Sequence, residues 1–228
     1  MVLVLAGGLG TRLRPVIGDS VPKPMADVNG RPFLERLLVL LRDRGFRDFV
    51  ISVGYRREVI MERLGDGSRL GVRVRYSVEE EPLGTGGALR RALPLLGGGD
   101  FLLVNGDTYF EADLAELIGF HESRRPVVTV GLVRVDSPAK GGFVELGGDG
   151  TVRSFREGVG TGIMNSGVMV VGPEVREHLP GAERFSLEND LLPSLAARGL
   201  LGGVVLRGRI IDIGTPEGYA LAKEVLRG

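Results

Sequence analysis

The residue types best suited to chemistry occur together near the start of the chain. The segment LAGGLGTRLRP follows a short apolar run and combines three glycines with Arg12. Glycines let backbone N–H groups come close to phosphate oxygens, and a guanidinium adds a planar fork of donors. Lys23 stands in VPKPM, where two prolines stiffen the backbone around one mobile cation. This combination predicts a binding site for a polyphosphate.

Two common phosphate-binding motifs do not fit this segment. A dinucleotide fingerprint that starts at Gly8 needs a final glycine at position 13, which is leucine here. A P-loop needs glycine, lysine and serine or threonine in succession, whereas Lys23 lies between prolines. The pattern therefore argues against a dinucleotide-dependent oxidoreductase and against a P-loop protein.

Asp107 and Asp212 are the carboxylates that best fit a metal site. Asp107 ends the apolar stretch FLLVNGD, and Asp212 lies within RIIDIGTP. A carboxylate in an apolar strand is costly unless it is paired or bound to a metal, although either residue alone could be a cap or turn residue. Mg²⁺ accepts one or two carboxylates together with substrate phosphates and water. Beside a phosphate-binding loop, the two aspartates predict a Mg²⁺ site.

The segment YSVEEEPLGTGGAL is a candidate site for a nucleotide base. Its glycines permit the close approach of a flat ring, and Glu79 could accept hydrogen bonds from the adjacent N1–H and N2–H donors of guanine. Uracil and thymine present one comparable N–H donor, so the pattern favours guanine. The alternative is that the three glutamates form a solvated loop.

The candidate residues follow predicted strands. Residues 2–5, 48–54 and 101–107 are mainly apolar runs typical of buried strands, and amphipathic helices separate them. In one such helix, residues 31–45, leucines recur at helical spacing up to Gly45. The alternation predicts an α/β, Rossmann-like domain with helices on both faces of a mixed, mostly parallel sheet. Ligands of such sheets bind beyond the carboxyl ends of the strands.

Composition limits the partners and the compartment. Lysine and arginine together number 29, as do aspartate and glutamate, so a broad basic surface for nucleic acid is not expected. The absence of cysteine excludes disulfides and thiolate metal sites. No apolar run approaches the roughly 20 residues that a membrane span needs, and the first residues lack a signal-peptide pattern. We therefore expect a cytoplasmic protein that binds neither nucleic acid nor membranes.

The motifs together resemble those of the sugar-1-phosphate nucleotidylyltransferases, which have a glycosyltransferase-A-like fold. The resemblance rests on LAGGLGTRLRP, PKPM, EEEPLGTGGAL, VNGDTYF, MNSGVMVV and IIDIGTPEGY, in the family's order. Within the family, SVGYRREVI and FSLENDLLPSLAARG are most similar to the D-glycero-α-D-manno-heptose 1-phosphate guanylyltransferases. Mannose-1-phosphate and other hexose-1-phosphate nucleotidylyltransferases are the alternatives, because they share the main motifs.

The resemblance implies one nucleotidyltransferase domain over residues 1–228, with a nucleotide-binding part to about residue 125 and a β-rich, sugar-binding part over residues 126–228. It implies Mg²⁺-dependent transfer of a nucleoside monophosphate, with GMP from GTP favoured, to a sugar 1-phosphate. The implied catalytic residues are Arg12, Lys23 and Asp107, and the implied metal ligands are Asp107 and Asp212. The implied nucleotide-binding residues are Leu5, Ala6, Gly7, Gly8, Gly10, Thr11, Arg12, Glu79, Gly84 and Thr85. The implied sugar-binding residues are Gly142, Glu157 and Asn165.

One position departs from the family pattern. Relatives often have a lysine that approaches the sugar phosphate directly after the glutamate corresponding to Glu157, and this chain has Gly158. Lys140 and Arg153 are the candidate replacements.

The alternative of another class is a regulatory domain that senses nucleotide sugars without catalysis. The retained Arg12, Lys23 and both aspartates argue against this alternative. Homo-oligomer formation is left open.

Overall fold

The predicted strands and helices assemble into one seven-stranded sheet with helices on both faces. The computed structural model describes residues 1–226. Its strands are β1 (Val2–Leu5), β2 (Asp27–Val28), β3 (Arg31–Pro32), β4 (Asp48–Val53), β5 (Arg73–Val78), β6 (Phe101–Asn105), β7 (Thr108–Phe110), β8 (Val128–Leu146), β9 (Val152–Val171), β10 (Leu201–Val205) and β11 (Ile210–Asp212).

Helices fill most of the connections between these strands. The α-helices are α1 (Arg14–Ile17), α2 (Phe33–Asp43), α3 (Arg57–Leu64), α4 (Gly84–Ala92), α5 (Ala115–Arg124), α6 (Leu192–Ala197) and α7 (Pro216–Val225). Single 3₁₀ segments cover Lys23–Met25, Ser68–Leu70, Leu93–Leu95 and Pro173–His178, and a π-helical turn covers Leu187–Leu191. In the part of the chain that the structure describes, none of these helices is long and apolar enough to cross a bilayer.

The main sheet has the strand order β10-β8-β9-β6-β1-β4-β5. Strands β6, β1, β4 and β5 are parallel, as are β8 and β10, and β9 is antiparallel to both of its neighbours. This mixed, mostly parallel arrangement confirms the predicted fold class. The antiparallel pair β8–β9 forms a long hairpin that extends from the sheet.

Alternating side chains of the central strands bury two separate cores. In β1, Val2 and Val4 pack on one face with leucines of α2, whereas Leu3 packs on the other face with residues of α4 and α6. A third cluster joins α7 to β11, because Tyr219 and Ala222 pack against Ile211 and Ile213. Burial of these two isoleucines fixes the strand that carries Asp212.

The parallel register brings the ends of three strands to the same level. Leu5 at the end of β1 lies opposite Ser52 of β4 and Asn105 of β6. The segments that follow these strands therefore meet at one edge of the sheet. The small pair β7–β11 adds a fourth segment, because Asp212 lies opposite Thr108 and the Ile213 N–H donates to the Asp107 carbonyl at 2.9 Å.

Candidate active site

Two neighbouring cavities open at the carboxyl edge of the sheet. The first cavity has a volume of about 260 Å³ and lies between the glycine-rich loop after β1 and the start of α4. Its lining consists of Leu5, Ala6, Gly7, Gly8, Leu9, Lys23, Pro24, Ser52, Glu79, Pro82, Gly84, Thr85, Ala88, Asn105 and Asp107. It therefore gathers most of the residues expected to bind the nucleotide.

The second cavity has a volume of about 370 Å³ and lies against the β8–β9 hairpin. It gathers the three expected sugar-binding residues with both aspartates. Its lining consists of Arg12, Thr85, Asn105, Asp107, Thr108, Val133, Lys140, Gly141, Gly142, Glu157, Met164, Asn165, Ser166, Gly167, Glu188, Asn189, Ile210 and Asp212. Thr85, Asn105 and Asp107 line both cavities, so ligands in the two cavities would meet at these residues.

The glycine-rich loop lies against a fixed carboxylate. A Cβ atom on Gly7 would stand 2.7 Å from Glu79 Oε1, so one of the two groups would have to shift. Glu79 is buried, and its Oε1 accepts a hydrogen bond from the Ser52 hydroxyl at 2.8 Å. Its Oε2 accepts from the Leu83 backbone N–H at 3.2 Å. The carboxylate therefore has a defined position in the wall of the first cavity.

Three residues of the predicted loop are placed differently from the rest. Gly10 and Thr11 line neither cavity, and Arg12 lines the second cavity rather than the first. Gly10 has φ +64°, and a Cβ atom there would lie 2.9 Å from the Cβ of Lys23. A side chain at this position would therefore be strained and would displace Lys23.

Charged groups converge where the two cavities meet. Lys23 Nζ forms an ion pair with Asp107 Oδ2, and the two side chains are 16% and 18% exposed. A Cβ atom placed on Gly214 would lie 2.7 Å from Asp212 Oδ1, 3.3 Å from Arg12 Nη2 and 3.4 Å from Asp107 Oδ2. Two carboxylates and two cations thus lie within a few ångströms of one another.

The two carboxylates have the chemistry of a site for a hard divalent cation. Burial raises the pKa of Asp212, and the negative charge of Asp107 raises it further. Such like-charged oxygens are stabilised by a cation between them. Within residues 1–226, no group of three or more His, Cys, Asp or Glu side chains is arranged to hold a metal. A cation here would therefore need substrate oxygens or water to complete its coordination.

The hairpin shapes the second cavity. Gly142 lies opposite Glu157 in the β8–β9 register, and a Cβ atom on Gly142 would stand 2.2 Å from Phe155 Cζ. Burial, followed by the nearby charge of Glu188, raises the pKa of Glu157. Asn165 Oδ1 accepts a hydrogen bond from the Gly167 N–H at 2.9 Å.

The structure distinguishes the two candidate replacements for the missing lysine. Lys140 lies diagonally across the hairpin from Glu157 and lines the second cavity. The Arg153 side chain instead lies near the turn of the hairpin, with its Nε 3.2 Å from the position of a Cβ atom on Gly147. Neither Arg153 nor Gly158 is part of the cavity lining.

Sequence reasoning missed several lining residues. Asn105 lies at the end of β6, so the strand-end argument that selected Asp107 could also have found it. Glu188 has no comparable local signal, because it reaches the site from the π-helical turn. The Thr85 hydroxyl donates to Glu188 Oε2 at 2.7 Å and accepts from the Leu187 N–H at 2.8 Å. This contact joins the start of α4 to the π-helical turn.

Comparison with known proteins identifies the family of the chain. A family model described as nucleotidyl transferase matches residues 1–226. The chain belongs to the nucleotidyl transferase family. Its membership confirms the predicted enzyme class, a sugar-1-phosphate nucleotidylyltransferase.

Curated relatives in this family include two kinds of guanylyltransferase. The D-glycero-alpha-D-manno-heptose 1-phosphate guanylyltransferase of Campylobacter jejuni is 36% identical over 95% of this chain and 96% of its own length. The guanylyltransferase of the same name from Aneurinibacillus thermoaerophilus is 33% identical over 99% of this chain and 97% of its own length. The mannose-1-phosphate guanylyltransferase of Mycobacterium tuberculosis is 37% identical over 99% of this chain, which spans 64% of that relative.

Solved structures of similar proteins have the same fold. HddC from Yersinia pseudotuberculosis is 36% identical, with a TM-score of 0.86 and a coverage of 99% of both chains. A structure of HddC complexed with GMP-PN has a TM-score of 0.85 over the same coverage. A putative glucose-1-phosphate thymidylyltransferase from Bacillus anthracis is 23% identical with a TM-score of 0.86, which shows the common fold.

Proposed function

We propose that the chain transfers GMP from GTP to D-glycero-α-D-manno-heptose 1-phosphate, giving a GDP-sugar and pyrophosphate. The observation that carries this proposal is a match along the whole length of two guanylyltransferases named for that heptose phosphate, covering 96% and 97% of their chains. The similarity to HddC, which has been crystallised with GMP-PN, supports the choice of a guanine nucleotide. Both substrates are phosphorylated metabolites, and we propose that the enzyme acts in the cytoplasm.

The two cavities support separate binding sites for the two substrates. In this proposal GTP occupies the first cavity, with its triphosphate over the glycine-rich loop that begins at Gly7 and leads to Arg12 of the second cavity, and the sugar phosphate occupies the second cavity. Residues 1–125 then supply most of the nucleotide site, and residues 126–228 supply most of the sugar site, with the hairpin contributing about half of it. The shared lining at Thr85, Asn105 and Asp107 is where the reacting groups would meet.

The reaction proposed here is an in-line displacement at phosphorus. An oxygen of the sugar phosphate forms a bond to the α-phosphorus of GTP as the bond from that phosphorus to the bridging β-oxygen breaks, and pyrophosphate leaves. The attacking oxygen is ionised at neutral pH, so the reaction needs no general base. Catalysis of such transfers relies on positioning and charge neutralisation. We assign neutralisation of the α-phosphate to Lys23 and of the departing pyrophosphate to Arg12.

Asp107 and Asp212 would hold the Mg²⁺ ion in this proposal. The support is that their oxygens converge at the boundary of the cavities and that burial and mutual repulsion raise the pKa of Asp212. When bound, Mg²⁺ would supply positive charge to the phosphate oxygens. Because Lys23 pairs with Asp107, its ammonium group lies close enough to act on the same oxygens.

Recognition of the base and sugar is assigned to the cavity walls. Glu79 is proposed to accept hydrogen bonds from guanine, with Gly84 and Thr85 beside the ring. Gly142, Glu157 and Asn165 are proposed to contact the sugar, with Glu188 as an additional acceptor. We assign the sugar phosphate to Lys140, because it is the lysine in the lining of the second cavity.

A mannose-1-phosphate guanylyltransferase is the second candidate, favoured by 37% identity over 99% of this chain. The test is a panel of GTP, ATP, UTP and dTTP against heptose, mannose and glucose 1-phosphates, measured by pyrophosphate release. The expected result is the highest kcat/KM with GTP and the heptose phosphate. A higher kcat/KM with mannose 1-phosphate would identify that compound, and not the heptose phosphate, as the substrate. Binding of nucleotide sugars without turnover of any pair would support a sensing domain instead.

A further inference from the structure

A third cavity, of about 400 Å³, lies away from the two described above. Its lining residues come from the β2–β3 hairpin, helix α2, the end of α3 and the connection from α3 to β5. Its charged lining residues are Arg31, Glu35, Arg42, Arg63 and Arg69, and no residue of its lining belongs to either of the other cavities. The proposed reaction gives this cavity no role.

One buried carboxylate orients two of these arginines. Glu35 lies in the first turn of α2 with its side chain 2% exposed. Its Oε1 accepts a hydrogen bond from Arg63 Nε at 2.7 Å and another from Arg69 Nη2. A single carboxylate cannot neutralise two guanidinium groups, so this pairing leaves net positive charge at the cavity wall.

Of the two remaining arginines in the lining, Arg31 adds to this charge and Arg42 does not. Arg42 is neutralised by Asp43, with Nη2 2.7 Å from Oδ1. Arg31 is exposed and forms no ion pair within residues 1–226. Four arginines are thus balanced by two carboxylates around one concave surface. About half of the Arg63 and Arg69 side-chain surface remains exposed, at 49% and 54%, respectively.

A purely structural role does not account for this composition. The ion pair between Glu35 and Arg63 joins α2 to α3, and Arg31 takes no part in it. Guanidinium groups that outnumber the carboxylates around a cavity repel one another, and an anion that they share stabilises them. Guanidinium forks match the oxygens of a phosphoryl group, which can accept two parallel N–H bonds from each fork.

We propose that this cavity is a second anion site, which binds a small molecule carrying a phosphoryl group through Arg31, Arg63 and Arg69. Glu35 orients Arg63 and Arg69 through the hydrogen bonds that it accepts from them, and it does not contact the ligand. The ligand is held outside the catalytic cleft, so its binding does not require the groups that act on GTP.

The test is a calorimetric titration of the full chain with pyrophosphate at constant ionic strength and without divalent metal, compared with chloride. A parallel titration with inorganic phosphate shows whether one phosphoryl group is enough. Pyrophosphate is also a product of the proposed reaction, so Arg12→Gln should weaken any binding in the catalytic cleft, and we expect it to leave the binding event at the third cavity unchanged. The double variant Arg31→Gln/Arg69→Gln should weaken binding by about tenfold or more.

Two further variants make the result decisive. Arg31→Gln alone breaks no ion pair, so the fold is retained, and it should weaken binding by about threefold to tenfold. Arg91→Gln removes an exposed positive charge on α4 and should bind pyrophosphate as the unmodified chain does. Unchanged binding in Arg31→Gln/Arg69→Gln, or loss of all binding in Arg12→Gln, would overturn the proposal. So would an equal loss in Arg91→Gln, which would indicate attraction by net charge alone.

Discussion

Lys23 and Asp107, which are 84 residues apart in the sequence, form an ion pair at the boundary between the two candidate substrate cavities. Lys23 begins the 3₁₀ segment after the glycine-rich loop, and Asp107 follows the end of β6. The pairing keeps a cation and a carboxylate partly desolvated before any substrate binds. Phosphate oxygens that enter this region would compete with Asp107 for the ammonium group of Lys23. Substrate binding and rearrangement of this ion pair are therefore linked.

Asp107→Asn tests the proposed role of this carboxylate. The change removes its negative charge with little change in volume, so we expect kcat to fall at least about 100-fold, the loss seen when a key electrostatic group is removed from an active site. Pyrophosphate release measures the rate, and circular dichroism should show an intact fold. Asp136→Asn, on an exposed part of β8, is the matched control and should retain its rate. Full activity in Asp107→Asn contradicts the assignment.

Removal of divalent cations tests the proposed metal site. Chelation should abolish pyrophosphate release, and added Mg²⁺ should restore it. Because Asp212 is proposed to supply one of two protein ligands, Asp212→Asn should raise the Mg²⁺ concentration at half-maximal rate by about tenfold or more. A chelated enzyme that turns over at the original rate would rule out the metal requirement.

Lys140→Ala tests the assignment of the sugar phosphate. Loss of one charge-assisted hydrogen bond should raise the KM for the sugar phosphate by about tenfold while changing the KM for GTP much less. Lys140→Arg should recover part of the loss, because it restores the charge. Arg153→Ala is the control, since Arg153 does not line the cavity. An effect of Arg153→Ala equal to that of Lys140→Ala would show that the phosphate is held elsewhere.

Gly7→Ala tests the packing of the glycine-rich loop. The added methyl group would meet Glu79 Oε1 at 2.7 Å, and this carboxylate is held by Ser52 and Leu83. We expect the free energy of unfolding to fall by about 1–3 kcal/mol, as in other overpacked sites. Gly8→Ala is a close control, because nothing lies within 4 Å of its added Cβ atom. Chemical denaturation measures both, and equal stabilities would contradict the predicted clash.

His121 should make stability depend on pH. Its ring is buried with Nδ1 2.8 Å from Thr129 Oγ1, and its Nε2 has no hydrogen-bond partner in residues 1–226. Burial lowers the pKa of His121, although the nearby Asp100 carboxylate opposes this. The unfolded chain therefore binds a proton more readily than the folded chain. The stability that the neutral His121 contributes should be complete above about pH 6.5. As the pH falls below this value, the free energy of unfolding should decrease by at most about 1.4 kcal/mol per pH unit.

The measurement for His121 is the free energy of unfolding between pH 7.5 and pH 5.5. His121→Asn can keep a hydrogen bond to Thr129 but does not titrate, so it should flatten this profile. The same substitution at His178, the other histidine, should leave most of the pH dependence in place. A wild-type profile that His121→Asn does not alter would assign the effect to other groups.

Much of the scaffold could be predicted because its signals are local. The leucine spacing of α2 and its end near Gly45, with φ +95°, agree with the sequence pattern. The placement of Asp107 after a buried strand followed from the apolar run before it. Parallel pairing then carried this residue to the same edge as the glycine-rich loop, as the rule for α/β sheets states.

The rest of the site depends on contacts between distant segments. Glu188 meets Thr85 across 103 residues, and no periodicity in either segment encodes that approach. Arg12 lies in the predicted loop, yet the turn at Gly10 directs it to the second cavity. The difference between Lys140 and Arg153 depends on the bulged register of β8 and β9, which a pattern of apolar residues does not determine.

The separate walls of the two cavities have an evolutionary consequence. Gly142, Glu157 and Met164 lie on a hairpin that extends from the main sheet, whereas the glycine-rich loop and Glu79 follow its parallel strands. With the substrates divided as proposed above, substitutions in the hairpin can alter which sugar phosphate is used without changing the residues that hold the nucleotide. In this proposal, proteins with this fold can diversify their products through substitutions in the hairpin, while the segments that follow the parallel strands are inherited unchanged.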